Sequence, residues 1–214
     1  MKHLPNVATM LAQAVALHQQ GRGEAAAVLY RKIIALVPQQ FDALRLLGAF
    51  EFQQGQPALA CRFLDKALEI RPESAEVLVM RGHCLLQLEH LAEALISYDR
   101  ALTSKPDIAD ALSSRGNILH EFKRYEEALA SYDRALVLRP GSSQTWNNRG
   151  TCLQKLQRPV DALASYERAL VIQPDYVPAL HHLAKSMSML RRFSEAVATY
   201  DRLLLLRSND FVAM

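Results

Sequence analysis

Four of the seven histidines, His83, His120, His181 and His182, and the three cysteines, Cys61, Cys84 and Cys152, are the side chains best suited to metal or redox chemistry. Their spacing argues against both. No two of these histidines lie four residues apart, as ligands sharing a helix face do, and neighbouring His181 and His182 diverge around a helix. They read instead as histidines that hydrogen-bond a ligand or water. The cysteines are odd in number and lack a CxxC pair, and Cys84 and Cys152 hold the same place in a recurring unit, two copies apart. That separation is too great for a disulfide, so the expectation is buried free thiols and a reducing, cytoplasmic location. There is no GxxxxGKS or GxxxxGKT phosphate loop, no HExxH and no GxSxG. No catalytic residue, metal or cofactor is expected, and this segment is not read as an enzyme.

A different chemistry is suggested by Asn117, Asn147 and Asn148. Each amide both donates and accepts, which suits gripping a peptide backbone without reading its side chains. The elements that must position them show in a 34-residue recurrence: Gly48, Gly82, Gly116 and Gly150; Ala60, Ala94, Ala128, Ala162 and Ala196; Pro38, Pro72, Pro106, Pro140 and Pro174. A period of that length predicts stacked helical pairs. Glycine costs roughly 1 kcal/mol against alanine inside a helix, so its recurrence implies a packing gain. Gly116 and Ala128 are expected at the crossing within a pair, and Ala135 against the next pair. Pro57 and Pro159 fall where second helices begin, a position that needs no N–H. Turns are expected around Gly21, Gly55, Lys123, Arg124, Arg158 and Arg192, and Glu73, Asp107 and Asp175 are expected to cap the helices that follow.

One copy places Leu112, Gly116 and Leu119 on a first helix and Ala128, Tyr132 and Ala135 on a second, with Pro140 closing it. The next repeats the pattern as Trp146, Gly150, Leu153, Ala162, Tyr166, Ala169 and Pro174. This resembles the tetratricopeptide repeat family. The resemblance implies an all-α, right-handed superhelical solenoid of about six repeats, at 7–40, 41–74, 75–108, 109–142, 143–176 and 177–210. Residues 211–214 would begin a further repeat or form a tail. The last repeat carries Leu203, Leu204, Leu205 and Leu206 instead of a polar outer face. Two expectations follow: the chain is a piece of a longer protein, or this end self-associates.

In the family the first helices line a concave groove. The resemblance places Arg45, Leu46, Ala49 and Phe52, then Val79, Met80, His83 and Leu86, in its front half. The back half takes Ser113, Ser114, Asn117 and His120, then Asn147, Asn148 and Thr151, then His181, His182 and Lys185. The lining thus changes from apolar to polar. Some chaperone-binding members hold a terminal carboxylate with two asparagines and several basic residues. Asn117 and Asn148 match the asparagines, but Ser113, Pro178 and His182 stand where basic residues would be, so a full carboxylate clamp is not expected. The asparagines are also similar to the groove of protein O-GlcNAc transferases, whose repeat arms bind extended polypeptides.

The function expected is a non-catalytic interaction scaffold that binds a peptide or helical segment of a partner protein. The alternative is the substrate-recruiting arm of a larger bacterial glycosyltransferase. Twenty-five basic and 22 acidic residues, interspersed, leave a net charge of +3, which argues against a nucleic-acid partner. The apolar run from Thr9 to Leu17, broken by Gln13, fits a first repeat helix better than a secretory signal. No apolar stretch is long enough to insert in a membrane.

Overall fold

A computed structural model describes the backbone of residues 6–212 and the side chains of residues 6–206; residues 213 and 214 of the expected tail lie outside them. The described residues form 12 α-helices and no strand. Six are first helices: α1 (Val7–Gln19), α3 (Phe41–Gln53), α5 (Ala75–Gln87), α7 (Ala109–Glu121), α9 (Ser143–Lys155) and α11 (Val177–Met189). Their partners are α2 (Gly23–Leu36), α4 (Pro57–Ile70), α6 (Leu91–Ser104), α8 (Tyr125–Leu138), α10 (Pro159–Ile172) and α12 (Phe193–Val212). The fold is an all-α helical repeat of the solenoid class. It divides into two compact units, one up to Pro106 and one from Asp107 onward, each of three hairpins. Within a unit every helix packs on the helix before and after it, and α7, α9 and α11 are successive neighbours.

The recurrent glycines create the close approach within each hairpin. A methyl group on Gly82 would come within 2.7 Å of the Tyr98 ring and one on Gly116 within 2.6 Å of the Tyr132 ring. Gly150 bears the same relation to Tyr166, and Gly48 to Leu64. Ala128 and Ala135 are both buried, at 0% and 2% exposure. The crossing expected between Gly116 and Ala128 thus differs in its partner: the atoms nearest Gly116 belong to the Tyr132 ring, which occupies the space a side chain there would need. All three cysteines are buried free thiols.

Each hairpin turn passes through one left-handed residue. Gly21 and Gly55 supply it in the first two, whereas Glu89, Lys123, Gln157 and Arg191 adopt positive φ in the rest. The capping expectation is corrected by the structure. Glu73, Asp107 and Asp175 each lie one residue before the cap position, which is held by Ser74, Ile108 and Tyr176 with no side-chain cap bond. Glu73 and Asp175 instead face Arg100 at 3.9 Å and Arg202 at 3.3 Å. The caps that do form use Asn6, Gln40 and Ser142.

Adjacent hairpins are joined by a motif the sequence reading missed. Arg81 on α5 donates to Asp65 on α4 (2.6 Å) and to Ser97 on α6 (2.7 Å). Arg149 on α9 repeats it with Asp133 (2.6 Å) and Ser165 (2.7 Å). Both arginine side chains are largely covered, at 26% and 22% exposure, while each guanidinium reaches polar atoms of the two flanking helices.

Candidate peptide-binding face

In the unit from Asp107 onward, the polar side chains of α7, α9 and α11 join into one hydrogen-bonded chain. Tyr132 Oη donates to Asn117 Oδ1 (2.9 Å), and Asn148 Nδ2 donates to the same oxygen (2.9 Å). Asn147 Nδ2 donates to Asn148 Oδ1 (3.2 Å), and Asn147 Oδ1 lies 2.9 Å from His182 Nδ1. Because an amide oxygen only accepts, His182 carries its proton on Nδ1 in this arrangement and leaves Nε2 as an acceptor. Burial pushes the Tyr132 phenol upward in pKa, so its hydroxyl stays a donor. His182 is lowered, first by burial and then by His181 and Lys185.

This bonding fixes what the face can offer. Both lone pairs of Asn117 Oδ1 are engaged, so its NH2 group is the part left to meet a ligand. Asn148 gives one N–H to Asn117 and retains the other. Asn147 is only 4% exposed: it braces α9 against α11 rather than meeting solvent. On either side run two further inter-helix links, Ser113 to Thr145 (3.1 Å) and Gln154 to Ser186. Thr151 is turned back onto the Asn148 carbonyl (2.7 Å), and Ser114 is half-buried. His120 lies edge-on to Tyr125 at 5.3 Å, with Nε2 buried and without a hydrogen bond among the described residues. His181 and Lys185 are exposed on α11, with the His181 ring 5.7 Å from that of His182.

The remaining predicted site residues lie in the unit up to Pro106. Arg45 is held by Glu76 on α5 (2.6 Å) and faces Asp42 (3.9 Å). Leu46 packs partly against the core formed by Ala14, Ala43, Leu47 and Phe50. Phe52, Val79 and Met80 are half-buried, and His83 stands edge-on to Tyr98 at 5.7 Å. Glu51, not singled out in the sequence, is buried at 4% exposure and takes a 2.6 Å bond from Arg31. The available signal was a carboxylate flanked by Phe50 and Phe52 on the second half of α3. Among the described residues no group of three His, Cys, Asp or Glu is placed to hold a metal ion.

Family models described as tetratricopeptide repeat match residues 39–107, 79–143 and 143–176. No curated protein matches in sequence. Among solved structures, the chain is similar to YrrB, described as a TPR protein with an unusual peptide-binding site. The TM-score is 0.75 at 24% identity, covering 82% of this chain and 91% of that one. It is also similar to pilF of Pseudomonas aeruginosa (TM-score 0.77, 20% identity, 97% of this chain and 96% of that one). MamA of Desulfovibrio magneticus RS-1 gives a TM-score of 0.75 at 18% identity, covering 79% and 96%. At these identities the likeness establishes the fold.

Proposed function

Because the chain belongs to the tetratricopeptide repeat family, a fold of protein-interaction scaffolds, we propose that it binds an extended peptide segment of a partner across α7, α9 and α11. The observation that carries this reading is the bonded chain Tyr132, Asn117, Asn148, Asn147 and His182. It holds the Asn117 and Asn148 amides in place before any ligand arrives, so little side-chain entropy is lost on binding. The amide hydrogens they retain are donors for peptide carbonyls, a mode that follows backbone geometry and tolerates varied sequence. A random linear peptide library panned against the chain supplies probes. Asn117→Ala with Asn148→Ala is expected to weaken the selected peptides by about tenfold or more, two lost hydrogen bonds at about 0.5–1.5 kcal/mol each. Circular dichroism must show the variant folded. Undiminished binding by a folded variant refutes the assignment of this face.

A further inference from the structure

The seam between the second and third hairpins holds two thiols side by side. Cys61 lies on α4 and Cys84 on α5, and the two helices pack together. Their register is fixed by an ion pair, since Asp65 on α4 takes Arg81 on α5 at 2.6 Å. Helices joined by as short a connection as 71–74 run antiparallel. One turn back along α4 from Asp65 and one turn on along α5 from Arg81 therefore bring Cys61 and Cys84 to the same level. There the Cys84 side chain is hydrogen-bonded to that of Cys61, and neither sulfur is in a disulfide. Cys84 is wholly buried, while Cys61 keeps 9% exposure. The same two positions hold Ala27 with Phe50 on α2 and α3, Leu129 with Cys152 on α8 and α9, and Leu163 with Ser186 on α10 and α11. Packing of such a seam thus does not require a pair of sulfurs.

We infer that Cys61 and Cys84 form a redox-modification site, at which a hydroperoxide converts the two thiols into an intramolecular disulfide that ties α4 to α5. The Cys61 thiol is held below its ordinary range, first by the hydrogen bond from Cys84, whereas the Cys84 thiol is pushed up by that same bond and then by burial. Cys61 is therefore the thiolate that attacks the peroxide. Its sulfur takes one oxygen, the O–O bond breaks, and the departing hydroxide takes up the proton that Cys61 gave, leaving as water. Cys84 then attacks the Cys61 sulfenic acid: the S–O bond breaks, and the hydroxyl leaves with the Cys84 proton as a second water. Two thiols and one hydrogen peroxide give one disulfide and two waters, with two electrons passing from sulfur to the peroxide oxygens. Cys152 lacks this course, because Leu129 holds the facing position and its own Sγ donates to the Tyr125 carbonyl at 3.0 Å. The site is separate from the α7, α9 and α11 face.

The full chain, reduced and freed of reductant, is exposed to hydrogen peroxide, weighed intact, then denatured in an alkylating agent and mapped by mass spectrometry. The expected product is a monomer about 2 Da lighter, with the Cys61 and Cys84 peptides joined, Cys152 alkylated and the starting mass regained in a thiol reductant. The linked chain should melt about 5 °C higher or more, because the cross-link limits the unfolded chain. Cys84→Ser removes the second thiol, so dimedone should trap the sulfenic acid on Cys61; the mapping of the unaltered chain decides the matter even where this variant fails to fold. Three results would overturn the inference: Cys61 and Cys84 still free after peroxide, Cys152 or a link between two chains oxidising as readily, or a linked chain that melts no higher.

Discussion

Tyr132 and Tyr166 hold the same place in successive repeats, yet they differ in what meets the hydroxyl. Tyr132 donates to Asn117, while Tyr166 Oη is buried without a hydrogen bond among the described residues. The same substitution should therefore act oppositely at the two sites. Tyr132→Phe removes a bond and lowers stability by about 0.5–1.5 kcal/mol; Tyr166→Phe removes an unsatisfied hydroxyl and is neutral or stabilising. Denaturant melts of the two variants check this, and equal losses would contradict it. His182 gives a second test. Its pKa is depressed below the ordinary 6.5 by burial, then by His181 and Lys185, so the fold holds it neutral. The unfolded chain then binds more protons at acid pH. This stabilising contribution is complete above 6.5 and is lost as pH falls through the depressed value. Melting temperatures should fall from about pH 7 to about pH 5, with a shallower fall for His182→Gln, which keeps a donor for Asn147. Parallel profiles would contradict the assignment.

At the scale of the element, glycine decides two outcomes of opposite sign. Lys123 sits at φ 59° in the α7 to α8 turn, where Gly21 and Gly55 serve in the first two hairpins. Lys123→Gly should raise stability by about 0.5–1 kcal/mol, since an L side chain resists that conformation. Gly116→Ala should lower it by about 1–3 kcal/mol despite better helix propensity, because the added methyl meets the Tyr132 ring at 2.6 Å. Thermal unfolding of both variants reads the signs directly. The glycine side of these crossings was legible in sequence because a recurring glycine inside a helix needs a packing reason; its partner was not, since Ala128 was expected opposite Gly116 and the Tyr132 ring stands there. The caps were not: Ile108 and Tyr176 hold cap positions without a capping side chain, so composition favoured their acidic neighbours. The Arg149, Asp133 and Ser165 link was also hidden, since its members come from three helices and each looks like an ordinary surface residue. Asn147 and Asn148 are adjacent and identical in sequence; only the seam between α9 and α11 makes one a buried brace and leaves the other half-buried with an N–H to spare.

For the molecule as a whole, 25 basic and 22 acidic residues give little net field. Many of them are spent in exposed ion pairs such as Arg124 with Glu127 and Arg158 with Asp161, which contribute little to stability. The fold rests instead on one packing scheme repeated between neighbours, which frees the outward faces of the helices to vary. That freedom is why the family could be read from the sequence while the polar chain on α7, α9 and α11 required the packed side chains. The most direct test of its role follows the side-chain NH2 resonances of Asn117 and Asn148 during titration with a library-selected peptide. Saturable shifts of both, in step with the binding isotherm, are the predicted result; a bound peptide that leaves both amides unmoved would contradict it.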